Sequence, residues 1–385
     1  MHVYVHVPFC ARRCSYCDFA IAVRKAVPSE AYVSAVLREW EEWQSEERWR
    51  ESPDIRTIYF GGGTPSRLSP DAIGRLLDRL AHDRHIETGA EITLEANPDD
   101  VTPEAVRAWR GAGVNRISLG VQSFEPTVLG WMHRVHTVDQ IFRAVEAMRS
   151  AGIGDLSVDL IFGLPQGHNR DWSRDLERAF LLEPEHVSLY GLTVEAHTPL
   201  GHWASRGEVT PVDDETYAAE FLAAHAALVA RGYDHYEVSN AGRPGHRARH
   251  NSAYWQRAPF IGLGPSAHSG LDRERRWNVR DWSAYERLVS AGKSPIEGRE
   301  LLDDEAVTLE ELYLGLRTTD GLARHKVPPD VTSRWEGEGW AATTADRVRL
   351  RPEGWLRLDA LVASIALPSR SSPLDSKYAD ARSAE

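Results

Sequence analysis

Cys10, Cys14 and Cys17 stand within eight positions of one another, in the stretch HVPFCARRCSYCDFA, and they are the only three cysteines of a 385-residue chain. An odd number of thiols set so close together does not make a disulfide framework. Thiolates are soft ligands, so the pattern points to a metal. Two chemistries compete on the residues alone. Zinc held by three cysteines and a histidine needs a fourth ligand, for which His2, His6 or a distant histidine is available. An iron–sulfur cube held at three corners by a C-x3-C-x2-C loop leaves its fourth iron without a protein ligand, and an open iron can chelate a small molecule.

The elements that must position this loop follow from periodicity. Short β-rich runs at 2–8, 56–61, 91–96, 116–121, 156–162 and 186–192 alternate with amphipathic helical patterns. Ser69-Pro70 and Thr102-Pro103 each offer a cap followed by proline at the first helical position. Ile73, Leu76, Leu77 and Leu80 then follow the i, i+3, i+4, i+7 stripe of a half-buried helix. Parallel strands need helical crossovers, so the alternation predicts a parallel sheet. Six units fall short of the eight in a closed barrel. The expected fold is α/β, an incomplete (β/α)6 barrel with a smaller C-terminal α/β domain.

Side-chain parity says what the barrel holds. Ile92 and Leu94, Ile117, Leu119 and Val121, and Val158, Leu160 and Phe162 share one strand face, which should meet the helices. The other face carries Thr93 and Glu95, Ser118, Gly120 and Gln122, then Ser157 and Asp159. Barrel interiors are ordinarily filled by branched apolar side chains. This one reads either as unusually hydrophilic packing or as a lumen for a polar small molecule. The net charge of −12 argues against a nucleic-acid partner, because phosphate neutralisation needs clustered Lys and Arg. Clustered free thiols fit a reducing compartment. No signal-like leader and no apolar run near the roughly 20 residues of a membrane span are visible, so a cytoplasmic protein is expected, with at most transient peripheral membrane contact.

Cys10-x3-Cys14-x2-Cys17, with Tyr16 before the last cysteine, resembles the radical S-adenosylmethionine (SAM) superfamily. The stretches YVHVPFC, YFGGGTPS, LEANPDD, GVNRISLGVQSF, HRVHT, DLIFGLP and HNSAYW are similar, in order, to the oxygen-independent coproporphyrinogen III oxidase group. The resemblance runs from about residue 2 to 360. It implies a [4Fe–4S] cluster on the three cysteines and SAM on the open iron. By the same resemblance Gly62, Gly63 and Thr64 hold the methionine end of SAM, Tyr4 lies against it and Tyr16 sits near its adenine. Glu95 takes the ribose hydroxyls, Arg134 holds the carboxylate, and Gln122, Asp159 and Gly191 complete the contacts. Ala267 belongs to IGLGPSAHSG (261–270), which closes over SAM in that group. The G-x-G-x-x-A pattern inside it is not read as a dinucleotide site, since Pro265 interrupts it.

RHNSAYWQ (249–256) carries His250, Tyr254 and Trp255. On the residues alone this is either a buried polar corner or a heme site, with imidazole for the iron and flat rings for the porphyrin. The resemblance favours heme; His197 and His268 are the next candidate ligands. Residues 1–200 are expected to form the barrel with its cluster loop, 201–298 an extension carrying this motif, 299–367 a C-terminal domain of helices and a strand-turn, and 368–385 a disordered tail.

Two departures separate the members of the group. The oxidase has a fourth cysteine where this chain has Phe19, and a long segment before the cluster where this chain has nine residues. Both departures match the heme-chaperone branch. The expected function is therefore a chaperone that binds heme and delivers it to acceptor proteins. The alternative is the oxygen-independent coproporphyrinogen III dehydrogenase, and a radical enzyme of another substrate is a third reading. SAM cleavage stays open, coproporphyrinogen turnover is not expected, and no catalytic residue is assigned.

Overall fold

A computed structural model describes residues 1–47, 54–168 and 170–366; the tail at 368–385 lies outside the described residues. The chain divides into two units, Met1–Asp304 and the residues from Glu305 onward. In the first unit β1 (His2–Val7), β4 (Ile55–Gly62), β5 (Ile86–Ala96), β6 (Arg116–Gln122), β7 (Asp155–Phe162) and β8 (His186–Gly191) run parallel, in that order across the sheet. Each matches a run read from the sequence. Between β1 and β4, β2 (Phe9–Cys10) pairs in parallel with β3 (Ala22–Val23) and pins the base of the cysteine loop.

The sheet is longer than six strands. β9 (Asp234–Glu237) and β10 (Asn240–Gly242) add antiparallel pairs beyond β8. At the other edge β11 (Phe260–Leu263) lies parallel to β1 and makes a seventh parallel strand. β12 (His268–Leu271), β13 (Glu274–Asn278) and β14 (Ile296–Leu301) then continue outward, giving an open twelve-stranded sheet. Four residues between Pro259 and Gly264 carry too little periodicity to announce β11; its pairing with β1 defines it.

Local chemistry sets the helices. Ser69 accepts from the Ala72 amide and Pro70 opens the helix Pro70–Asp83, which buries Ile73, Leu76, Leu77 and Leu80. Thr102 caps Pro103–Ala112 in the same way, and Gly113 at φ 112° ends it in the left-handed region. Thr137 and Gln140 form a reciprocal capping box at the start of Val138–Ser150. The apolar parity set is sealed under these helices, with Leu94, Ile117, Leu119, Val121, Val158 and Leu160 fully buried.

The second unit places the helix Pro329–Gly337 beside a three-stranded antiparallel sheet, ordered β15 (Leu322–Ala323), β17 (Arg347–Leu350), β16 (Ala341–Thr343). Trp335 and Val348 are fully buried in it, and Trp355 donates from its indole to the Leu316 carbonyl across 3.2 Å. No helix among the described residues is long and apolar enough to cross a membrane.

Candidate cofactor site

A cavity of about 400 Å³ opens at the C-terminal ends of β4 to β8, with the cysteine loop along its rim. Glu95, Ser118, Gly120, Gln122 and Asp159 line it, as the strand parity requires, so the polar face encloses space and is not a packing layer. Gln122 has φ 66° at a register shift between β6 and β7, and this bulge turns the last residue of the strand into the cavity. Ile161, two residues past Asp159, adds an apolar patch beside Tyr16, which packs against Val128, Met132, Ile161 and Leu164.

All three thiols line the cavity. The Thr64 hydroxyl donates to Cys10 Sγ across 3.4 Å, and Arg134 Nη1 approaches Cys14 Sγ at 3.8 Å. Burial pushes the Cys10 thiol up and the Cys17 thiol up to about 11. Thiols held neutral in this way ionise when bound iron supplies the missing positive charge. His2 and His6, the two histidines of the first strand, are committed elsewhere. His2 Nδ1 pairs with Thr57 Oγ1 at 2.8 Å, while His6 pairs with Tyr4 Oη and with the Ala20 carbonyl, each at 3.0 Å. Neither is placed to complete a Cys3His zinc site. Three thiols on the rim of a polar cavity are the donor set that an iron–sulfur cluster with one iron left to a small-molecule ligand would need.

Below the thiols the strand ends offer the groups that a zwitterionic nucleoside needs. Tyr59 Oη donates to Glu95 Oε1 across 2.8 Å, and the Gly62 amide donates to Glu95 Oε2 across 3.1 Å. Burial pushes Glu95 up to about 7; the Tyr59 bond pulls it back and neighbouring Asp159 pushes it further up. Asp159 accepts from Ser118 Oγ across 2.9 Å, and burial pushes it up to about 6. A cation bound beside these two carboxyls would favour their charged forms, which accept hydroxyl hydrogens. Arg134 is anchored in the cavity wall: Nη2 donates to Asn97 Oδ1 and, across 2.8 Å, to the Gly120 carbonyl, while its buried Nε has no acceptor among the described residues. That orphaned donor is what a ligand carboxylate would satisfy. The glycines allow close approach. A Cβ at Gly62 would lie 2.5 Å from the His6 ring, and one at Gly63 would lie 2.8 Å from the Pro8 carbonyl.

Gly62, Gly63, Thr64, Tyr16 and Gly191 line the cavity together with these residues. Tyr4 and Ala267 do not. Tyr4 pairs in register with Tyr59, one layer below Glu95, and stacks on it at 6.1 Å, so it supports the cavity floor. Ala267 is buried in the turn between β11 and β12, where its amide donates to Gly264 O. Asn97, His133, Tyr190 and Thr193 line the cavity and were not singled out from the sequence. The signal was present for Asn97, which lies two residues past Glu95 in LEANPDD.

His250, Tyr254 and Trp255 lie on the short helix Arg249–Trp255 and do not line the cavity; His250 sits beneath its floor, stacked at 5.1 Å on Tyr59 and against His2 and Thr57. His250 is 1% exposed. Its Nδ1 is 2.6 Å from Thr57 Oγ1, its Nε2 is 2.8 Å from Tyr254 Oη, and its amide donates to Glu91 across 3.0 Å. Burial pushes the ring down to about 3. Of the two readings of this motif, the buried polar corner matches the geometry of His250, because Thr57 and Tyr254 take both of its ring nitrogens.

A loop of three thiols above a polar lumen at the strand ends of an open parallel barrel defines a radical SAM protein, and the radical SAM superfamily profile matches residues 4–179. The fold is that of coproporphyrinogen III oxidase (HemN) from Escherichia coli, with a TM-score of 0.79 over 94% of this chain and 89% of that chain at 19% identity. In sequence the chain is 34% identical over 369 residues to the heme chaperone HemW of Mycobacterium tuberculosis strain H37Rv, covering 94% of each. It is 37% identical over 269 residues to the HemW of Escherichia coli K12, covering 70% of this chain and 69% of that one. The chain belongs to the HemW heme-chaperone family. Membership in the radical SAM superfamily implies a [4Fe–4S] cluster and SAM as its cofactors.

Proposed function

We propose that this protein binds heme and passes it to an acceptor protein in the cytoplasm, on a barrel that holds a [4Fe–4S] cluster and SAM. The carrying observation is identity to HemW proteins over nearly the whole chain, with Phe19 at the position where the oxidase places a cysteine. Cys10, Cys14 and Cys17 would hold the cluster. When bound, it supplies an iron that chelates an amino acid and an electron for the sulfonium. The chain's own groups do the rest. Glu95 accepts from the ribose hydroxyls, Arg134 Nε donates to the carboxylate, the Gly62–Gly63 backbone lies close to the methionine end, and Tyr16 shields the adenine side from water. Phe19 is 56% exposed at the lip of the cavity and offers no thiol for a further electron-transfer step.

The test has two arms under anaerobic conditions. Hemin titration should give a saturable Soret shift, and the loaded protein should transfer hemin to an apo-acceptor. Incubation with reductant, SAM and coproporphyrinogen III should give no protoporphyrinogen. Decarboxylation over many turnovers would overturn the chaperone reading and restore the oxidase.

A further inference from the structure

The sealed His250 leaves open where heme would sit. We propose that it docks in an open groove of about 560 Å³ on the outer side of the cluster loop, with His197 or His202 on its iron and Arg13 and Arg280 on its propionates. This assignment rests on the heme-chaperone reading and deepens it by naming the site.

The groove brings together the three kinds of group that an iron porphyrin with two carboxylates requires. His197 and His202 flank the start of the helix Pro199–Ser205; both are exposed, and neither side chain has a hydrogen-bond partner among the described residues. Free neutral imidazole is a common heme ligand. Arg13 and Arg280 are exposed cations whose hydrogen bonds among the described residues go to backbone carbonyls: Arg13 Nη1 donates to Cys17 O across 3.3 Å and Arg280 donates to Asp18 O. Asp281 also lines the groove, but its carboxylate caps the helix Trp282–Ser290 by accepting from the Ala284 amide across 2.8 Å. A planar guanidinium has donors to spare for a carboxylate beyond the carbonyl it already meets. Phe19 and Ile21 supply the apolar wall, and Phe19 is a large hydrophobic side chain left in water.

The same two residues, Phe19 and Ile21, also line the cofactor cavity, so one thin wall separates the two spaces. The arginines of the groove hold the carbonyls of Cys17 and Asp18.

Hemin and metal-free protoporphyrin IX, titrated separately into the full-length protein, separate the roles. The His197→Ala/His202→Ala variant should lose the Soret shift and bind hemin about tenfold more weakly, while its protoporphyrin affinity stays at the parent value. Arg13→Gln and Arg280→Gln should each weaken both porphyrins about fivefold, the size of a partly exposed ion pair, with iron content unchanged. Groove variants that bind hemin like the parent while His250→Ala does not would overturn the site and leave the chaperone reading standing. A parent protein with no saturable hemin binding would overturn both.

Discussion

Tyr59 Oη lies 2.8 Å from Glu95 Oε1, so the carboxylate at the centre of the cavity is held from beneath by a residue of the neighbouring strand. The bond favours the charged form against burial, which pushes Glu95 up to about 7. Removing it with Tyr59→Phe should raise Glu95 further. SAM affinity of the reconstituted protein at pH 7 should drop about tenfold, as for a hydrogen bond to a charged group. The loss should shrink at pH 8.5, where Glu95 ionises again. Calorimetric titration at pH 6, 7 and 8.5 reads this directly; equal affinity of parent and variant at all three would remove Glu95 from the SAM site.

The three thiols share one loop and one cavity, so each should be indispensable to the cluster. Cys10→Ala, Cys14→Ala and Cys17→Ala should each lack stoichiometric iron and visible absorption after anaerobic reconstitution. Arg134→Leu should keep its iron, because the guanidinium lies 3.8 Å from sulfur and is anchored on Gly120, yet it should lose the effect of SAM on the reduced cluster's paramagnetic spectrum. Zinc in place of iron in the parent protein would contradict the cluster assignment.

Gly62 should tolerate no side chain. It has φ 109°, where a Cβ is strained by about 1–2 kcal/mol, and that Cβ would overlap the His6 ring. Gly62→Ala should lower the melting temperature and abolish SAM binding. Gly130, in the helix Pro126–Trp131, has open space at its Cβ position. Gly130→Ala should be neutral or stabilising by about 0.5–1 kcal/mol. Thermal melts of the pair separate local strain from a general intolerance of substitution.

Stability should peak near pH 6.5, because two sets of buried groups pull in opposite directions. His2 and His6 are pushed down to about 4, and His136, His235 and His250 to about 3, chiefly by burial. Between those values and 6.5 the unfolded chain binds more protons, so stability rises with pH. Glu39 and Glu95, both pushed up to about 7 by burial, bind more protons when folded between 4.5 and 7, so they lower stability as pH rises. Asp159, pushed up to about 6, acts in the same direction, but the histidines outnumber these three carboxylates below 6.5; above it Glu39 and Glu95 act against only the Met1 amine, which burial pushes down. Glu39→Gln should flatten the decline between pH 6.5 and 7.5 in melting curves taken at fixed cluster content; an unchanged slope would mean that Glu39 is ionised throughout.

The cluster loop, the six parallel strands and the polar lumen were legible because each is a local pattern. Three thiols on one loop, caps at Ser69 and Thr102, and the alternation through Glu95, Ser118 and Asp159 all depend on residues within a few positions of one another. What lay beyond reach depends on partners far along the chain. His250 is sealed by Thr57, 193 residues away, and by Glu91, 159 residues away. Its residue type is equally compatible with a heme ligand, and only the folded sheet decides between them. Tyr4 supports the cavity floor because pairing with Tyr59 places it one layer too low to line the cavity. β11 exists as a strand because β1 offers its free edge. The groove of Arg13, His197, His202 and Arg280 joins segments more than 260 residues apart in sequence. Periodicity reports which face of an element is buried, but what covers that face is settled only when distant segments compete for it in three dimensions.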